Sequence, residues 1–173
     1  MSRNQKTLAM RVLEGHNIPY TAFYYDVPEH LSAAEVAAVI GLPPEQTFKT
    51  LVVMPDRPAA KPILVLLPGD SQLDLKKLAA AAGEKRMQMA PHREAERITG
   101  LEKGGISPLA LLDRHYDVFV DETAILFDQI EISAGKKGAG ILAPVAPLLR
   151  LLHAPLVALA TTVRGGKRSY AWT

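Results

Sequence analysis

The spacing of apolar residues along the chain predicts five α-helices. Apolar residues repeat at helical spacing over residues 7–15. A second helix covers residues 33–40, because Ser32 and Glu35 have the spacing of an N-terminal capping box. The same periodicity and end signals predict helices at residues 74–82, 92–98 and 144–152 and a short helical turn at residues 43–46.

Short runs rich in β-branched and aromatic residues predict seven strands. They lie at residues 18–25, 47–54, 63–67, 87–89, 117–121, 129–133 and 139–142. These strands outnumber the long helices and are joined by short turns as well as by longer crossovers. This arrangement favours a single α+β domain with a curved, mixed sheet flanked by helices over a doubly wound parallel sheet.

The composition is that of an ordinary globular protein, with 48% hydrophobic and 22% charged residues in 173. The chain has no cysteine, which fits a reducing compartment and excludes disulfides and thiolate metal sites. The N-terminus is polar, and no run approaches the roughly 20 apolar residues that span a bilayer. We therefore expect a cytoplasmic protein with no membrane partner.

The formal net charge of +2 produces only a weak overall field, so any nucleic-acid contact would come from local basic clusters. Three such clusters occur, at residues 76–77, 136–137 and 164–168. Their alternative interpretation is ordinary solvated surface charge. We expect no DNA partner.

The most distinctive short segment is Gly104-Gly105-Ile106-Ser107-Pro108, which lies 55 residues after Lys49. A pair of glycines lets the backbone come within hydrogen-bonding distance of a ligand, and the proline stiffens the turn. Backbone N–H donors together with one ammonium group suit an anionic substrate and a developing oxyanion. Neither the glycine loop nor the segment with Lys49 indicates a particular function by itself.

Several other kinds of site are not indicated. The five histidines do not have metal-ligand spacing, and the chain contains no Gly-x-Ser-x-Gly elbow and no cysteine nucleophile. Residues 135–140 are glycine-rich but lack the spacing of a phosphate-binding loop or a dinucleotide fingerprint. We expect neither a metal nor an organic cofactor, so an enzyme of this sequence would act by positioning and oxyanion stabilisation.

Five segments, in order and spacing, resemble the YbaK family of aminoacyl-tRNA deacylases. They are TFKTLVV at 47–53, QLDLKKL at 72–78, Thr99-Gly100, GGISPL at 104–109 and ISAGKKG at 132–138. The resemblance implies a YbaK-like domain over residues 1–152 with a barrel-like sheet. Residues 153–173 would form a C-terminal extension, whose apolar part at 156–162 is a candidate strand or helix.

The resemblance also implies roles for individual residues. Lys49 would hold the 3′ end of the acylated tRNA, and Gly104, Gly105 and Ile106 would present backbone amides to the ester carbonyl. Substrate-binding positions would be Tyr25 (or Tyr24, if the match is shifted by one residue), Ser107, Pro108, Asp121, Ser133, Gly135 and Lys136. Ala110, Ala134 and Lys137 depart from the common family pattern and leave the choice of substrate open.

The implied activity is trans-editing, the hydrolysis of the ester of a mischarged tRNA, with cysteinyl-tRNA(Pro) as the favoured substrate. Water or the thiol of the substrate would attack, so that no protein nucleophile is needed. The implied partners are proline tRNA and prolyl-tRNA synthetase. An alanyl-tRNA(Pro) deacylase and a non-catalytic module that binds tRNA or a synthetase are the alternatives.

Overall fold

The computed structural model describes residues 5–27 and 31–161, which form five α-helices, three short 3-10 helices and eight strands. The α-helices are α1 (Leu8–Gly15), α2 (Ala33–Ile40), α3 (Leu75–Ala82), α4 (His92–Thr99) and α5 (Val145–Leu152). The strands are β1 (Thr21–Tyr24), β2 (Phe48–Pro55), β3 (Ile63–Pro68), β4 (Met87–Met89), β5 (Asp117–Asp121), β6 (Gln129–Ser133), β7 (Ala139–Pro144) and β8 (Leu156–Val157). The 3-10 helices are Pro44–Gln46, Leu112–Arg114 and Glu122–Leu126.

Side-chain caps define the starts of α1, α2 and α3, whereas α4 and α5 begin without one. The predicted capping box of α2 is present, because the Ser32 side chain accepts from the Glu35 N–H and the Glu35 carboxylate accepts from the Ser32 N–H. Asp74 caps α3 in the same sense by accepting from the N–H groups of Lys76 and Lys77. No helix among the described residues is long and apolar enough to cross a membrane.

The strands form two separate sheets. One has the order β1-β7-β6 and is antiparallel throughout, whereas the other has the order β4-β2-β3-β5-β8 and is mixed. In the mixed sheet β2 pairs antiparallel with both β3 and β4, and β5 pairs parallel with both β3 and β8. The prediction of an α+β domain with a mixed sheet is confirmed.

The expected barrel-like closure of a single sheet is wrong. The two sheets are joined by an isolated parallel bridge between Thr47, just before β2, and Glu131 of β6. One bridge cannot continue a hydrogen-bonded ladder, and within the described residues each sheet keeps its own end strands. A cleft therefore begins where β2 leaves β6.

Strand β3 lies at the centre of the hydrophobic core, and all six of its residues are buried. Leu64 and Leu66 face the larger apolar cluster, which includes α1, α5 and the three-stranded sheet. Val65 and Leu67 face the smaller cluster, which includes Leu78 of α3. Burial on both faces explains why this strand is a continuous apolar run rather than an alternating one.

Residues 153–161 pack onto the mixed sheet. Strand β8 extends it, and Leu159 is completely buried. The buried carboxylate of Asp121 accepts from the N–H groups of Leu159 (3.0 Å) and Ala160 (3.1 Å), and also from the N–H and the hydroxyl of Thr123. The predicted basic cluster at 164–168 lies outside the described residues.

We predict that Asp121→Ala lowers the free energy of unfolding by about 3 kcal/mol, because the variant leaves buried N–H donors of the C-terminal segment without an acceptor. Urea denaturation measures the change. Asp117→Ala, at an exposed carboxylate of the same strand, is the matched control and should change stability by less than about 0.5 kcal/mol. Equal stability of the two variants would contradict this role for Asp121.

Candidate functional site

A cavity of about 180 Å³ opens between the two sheets, beside the bridge that joins β2 to β6. Strand β4 pairs only with residues 53–55 of β2, so residues 48–52 have no strand on that side, and they line the cavity. The other walls come from the loop after β1, the start of α2, α4, the loop at 103–106, β6 and the turn at 137–138. Lys49, Gly104 and Ile106 therefore meet in one concavity.

Lys49 carries a half-buried ammonium group held by main-chain carbonyls. Its Nζ donates to Ser71 O at 2.6 Å and to Gly69 O at 3.5 Å. An ammonium group has three donors, so one remains for a ligand. Burial lowers the pKa of Lys49, and the nearby charge of Asp70 partly opposes this shift. No carboxylate among the described residues forms an ion pair with Lys49.

Gly69 fixes the loop that supplies these carbonyls, a role that the sequence patterns do not reveal. Its N–H donates to Thr47 O at 2.7 Å. A Cβ at this position would lie 2.9 Å from Ala33 Cβ and 3.0 Å from Thr47 O, closer than such atoms pack. Glycine is therefore needed here for close approach, and Lys49 depends on it.

The two glycines, Gly104 and Gly105, have different roles. A Cβ on Gly105 would lie 2.9 Å from Lys137 N, so the loop packs directly on the turn after β6. The Gly105 N–H already donates to Glu102 O at 2.8 Å, which contradicts its expected use as an oxyanion donor. The N–H groups of Gly104 and Ile106 have no acceptor among the described residues, and both residues line the cavity.

Ser133 and Tyr25 complete this side of the cavity. The Ser133 hydroxyl donates to Gly104 O at 3.4 Å and accepts from Gly135 N–H at 3.3 Å, which connects the two loops. Tyr25 lines the cavity, and its N–H donates to Gly138 O at 2.9 Å. Tyr24 instead is exposed and directs its hydroxyl to Met10 Sδ. Of the two tyrosines, the cavity residue is Tyr25.

The remaining predicted site residues lie outside the cavity wall. Ser107 is fully buried behind the loop, with no hydrogen-bond partner for its hydroxyl. Pro108 borders a second cavity of about 250 Å³. The prediction that Asp121 lines the cleft is wrong, because its carboxylate binds the C-terminal segment. Gly135 and Lys136 stand in the turn after β6, where Lys137 rather than Lys136 reaches the cavity.

The main cavity residue that the sequence analysis missed is Glu131. Its side chain lines the cavity yet is only 3% exposed. A Cβ on Gly140 of β7 would lie 2.1 Å from Glu131 Oε1, so Gly140 provides the space for this carboxyl group. Burial raises the pKa of Glu131 to about 8. The sequence of β6 could have identified Glu131, because residues two apart in a strand lie on the same face and Ser133 is already a predicted site residue.

Among the described residues, no group of three or more His, Cys, Asp and Glu side chains could hold a metal ion. The cavity instead combines an apolar wall, the half-buried ammonium group of Lys49, two further lysines at its border, two available backbone amides and the buried acid Glu131. Such a set can bind a small polar ligand and stabilise negative charge on an oxygen.

We predict that Glu131 makes the stability of the protein depend on pH. The folded state raises the pKa of this acid from 4.5 to about 8, so it binds the proton more tightly than the unfolded chain does. The resulting stabilisation is complete below about pH 4.5 and is lost as the pH rises through about 8. Thermal unfolding at about pH 6 and about pH 9 should show a smaller pH difference for Glu131→Gln than for wild type. Identical differences would contradict the prediction.

Comparison with known proteins agrees with this geometry. A sequence model of the aminoacyl-tRNA editing domain matches residues 27–151. The chain is 40% identical over 146 residues to EbsC of Enterococcus faecalis, whose name describes a Cys-tRNA(Pro)/Cys-tRNA(Cys) deacylase, and the match covers 83% of this chain and 87% of EbsC. It is also 37% identical over 93 residues to a proline–tRNA ligase of Thermodesulfovibrio yellowstonii, covering 54% of this chain but 15% of the ligase.

Solved structures share the fold. The hypothetical protein APE2540 superposes with a TM-score of 0.79 at 21% identity, over 89% of this chain and 99% of that protein. A protein described as a trans-editing enzyme for prolyl-tRNA synthetase gives a TM-score of 0.72 at 24% identity, over 90% of this chain and 98% of its own. Since the domain match covers most of the chain and the relative EbsC is aligned over most of both lengths, the protein belongs to the family of aminoacyl-tRNA editing domains.

Proposed function

We propose that this protein hydrolyses the ester bond of a mischarged tRNA, with cysteinyl-tRNA(Pro) as the favoured substrate. The observation that carries the proposal is the meeting of Lys49 with the amides of Gly104 and Ile106 in one small cavity. Membership of the editing family and the name of the relative EbsC support the same activity. The reaction releases the free amino acid and leaves the tRNA intact.

In this mechanism the protein positions the ester and stabilises charge. Lys49 binds a phosphate or the terminal ribose through its remaining donor, while the N–H groups of Gly104 and Ile106 donate to the carbonyl oxygen as it becomes an oxyanion. Water adds to the carbonyl carbon, the bond to the ribose oxygen breaks, and that oxygen leaves as a hydroxyl. In a second route the thiol of the substrate attacks its own carbonyl carbon, its proton passes to the departing ribose oxygen, and a cyclic thioester is released that water then opens to the free amino acid. This route also needs no protein nucleophile.

The cavity volume of about 180 Å³ suits a small side chain such as that of cysteine or alanine. Size alone separates such side chains weakly, because one additional group in an apolar pocket is worth about 1–3 kcal/mol. Alanyl-tRNA(Pro) is therefore the second candidate substrate.

The nucleic acid would approach across the basic side of the opening. Lys103 and Lys137 both border the cavity on the loop side, where they can contact phosphates of the acceptor end. The similarity to part of proline–tRNA ligases supports proline tRNA as the substrate and prolyl-tRNA synthetase as a partner.

A deacylation panel tests the proposal. Proline tRNA charged with cysteine, alanine, serine or proline is incubated with the protein, and release of the amino acid is measured. We expect cysteine to be released fastest. Lys49→Ala should reduce kcat/KM by about 100-fold, because an ammonium donor at the reacting end is lost. Lys61→Ala, at an exposed lysine in the loop between β2 and β3 that lies outside the basic clusters and the cavity wall, is the matched control and should retain activity.

The other outcomes of the panel are equally informative. Faster release of alanine would support the second candidate substrate. Saturable tRNA binding without release above the spontaneous rate would support a non-catalytic binding module. A Lys49→Ala variant as fast as the parent would refute the role assigned to Lys49.

We further predict that Gly69→Ala slows deacylation by at least about tenfold although Gly69 does not line the cavity. The added methyl group must displace Ala33 or the Thr47 carbonyl, which shifts the acceptors of Lys49, and a displacement near 1 Å can cost about 100-fold in rate. Adding Gly69→Ala to Lys49→Ala should cause little further loss, because both changes act through one ammonium group. Gly15→Ala, where a Cβ has open space, is the control.

A further inference from the structure

Glu131 is a buried acid without a hydrogen-bond partner. It is 3% exposed, no hydrogen bond or ion pair of its carboxyl group occurs within the described residues, and this group faces the cavity instead of being fully enclosed like the unpaired hydroxyls of Thr50 and Ser107. Buried polar groups are almost always paired, and an unpaired carboxyl group in an apolar setting is costly. Since this group lines the cavity, a ligand is the natural source of its missing partner.

The neighbours of Glu131 leave that position open. On the β7 side, Gly140 has no side chain. On the β2 side, the hydroxyl of Thr47 donates to Pro43 O and therefore has no proton to donate to Glu131. Tyr25, from the loop after β1, interacts with Glu131 electrostatically. The other ionisable residues around the cavity are Lys49, His92, Glu96, Lys103 and Lys137.

The carboxyl group of Glu131 indicates which kind of ligand group would bind to it. A carboxyl group removed from water ionises only when a cation or a strong donor accompanies it. In an aminoacyl ester the carboxyl group of the amino acid is blocked, so the α-ammonium group is the cation that every aminoacyl end carries. Burial raises the pKa of Glu131, which agrees with an acid that ionises when a cation binds beside it.

We propose that Glu131 binds the α-ammonium group of the aminoacyl end of the substrate. The inference rests on the proposed function and adds a specificity-determining contact to it. Lys49 would then hold the nucleic-acid end and Glu131 the amino-acid end, which sets the ester between them. Substrates with an acylated amino group, such as N-acetylaminoacyl and peptidyl esters, would be rejected.

The proton balance of this step is defined. If the α-amine arrives protonated, Glu131 ionises and one proton leaves to solvent. If the amine arrives neutral, the proton of Glu131 moves to the nitrogen and none is released. In both cases the complex contains a carboxylate paired with an ammonium group.

Binding of an amide-linked analogue tests the proposal without requiring turnover. The probes are 3′-cysteinylamino-3′-deoxyadenosine and its N-acetyl derivative, with affinities measured by calorimetry. Wild type should bind the free amine about 30-fold more tightly than the acetylated probe, because a hydrogen bond to a charged group is being lost. Glu131→Gln should reduce this preference to within about threefold, mainly by weakening the free amine.

The same binding measurement includes a control variant and defines the results that would overturn the proposal. Glu122→Gln, at an exposed glutamate outside the cavity, should keep the full preference. A Glu131→Gln variant with the wild-type preference would overturn the proposal. If that variant does not fold, wild type decides the question, because equal binding of the two probes would also overturn it. Absence of deacylation with a retained preference would count against the proposed reaction and not against this contact.

Discussion

The site depends on a partly desolvated ammonium group that is held by peptide carbonyls and not by a carboxylate. Ser71 O and Gly69 O orient the Lys49 side chain without neutralising it, so its positive charge stays available to a ligand. The two carbonyls can hold the ammonium group because the Gly69 N–H donates to Thr47 O, which fixes their loop against the residue that precedes β2. The same residue, Thr47, bridges to Glu131, so the cation and the buried acid are positioned by one short stretch of backbone.

The polar groups of the cavity therefore lie at separate positions in a wall that is otherwise apolar. A cationic group and a neutral acid at different positions can orient a ligand that has an anionic end and an ammonium end. In the apolar surroundings each contact is stronger than it would be in water. The reacting carbonyl would then lie beside the Gly104 and Ile106 amides without any nucleophile from the protein.

The departures from the common family pattern are explained by packing. Ala134 replaces a frequent glycine but is buried in the core, and the left-handed backbone of this turn falls on Gly135 and Gly138 instead. Ala110 contacts Gly135, because a Cβ there would lie 3.0 Å from Ala110 Cβ. Solved structures at 21% and 24% identity keep TM-scores of 0.79 and 0.72, so the backbone tolerates such exchanges.

The sequence by itself determined the local elements and the central pair of the site. The bounds of α2, β4, β5 and β6 agree with the predictions, since caps, breakers and periodicity act within a few residues. The resemblance placed Lys49 and the glycine loop together. Tertiary structure alone decided the division into two sheets, the role of Asp121, the engaged amide of Gly105 and the burial of Glu131. Each of these depends on which distant segment supplies the partner, and no local pattern of side chains specifies that partner.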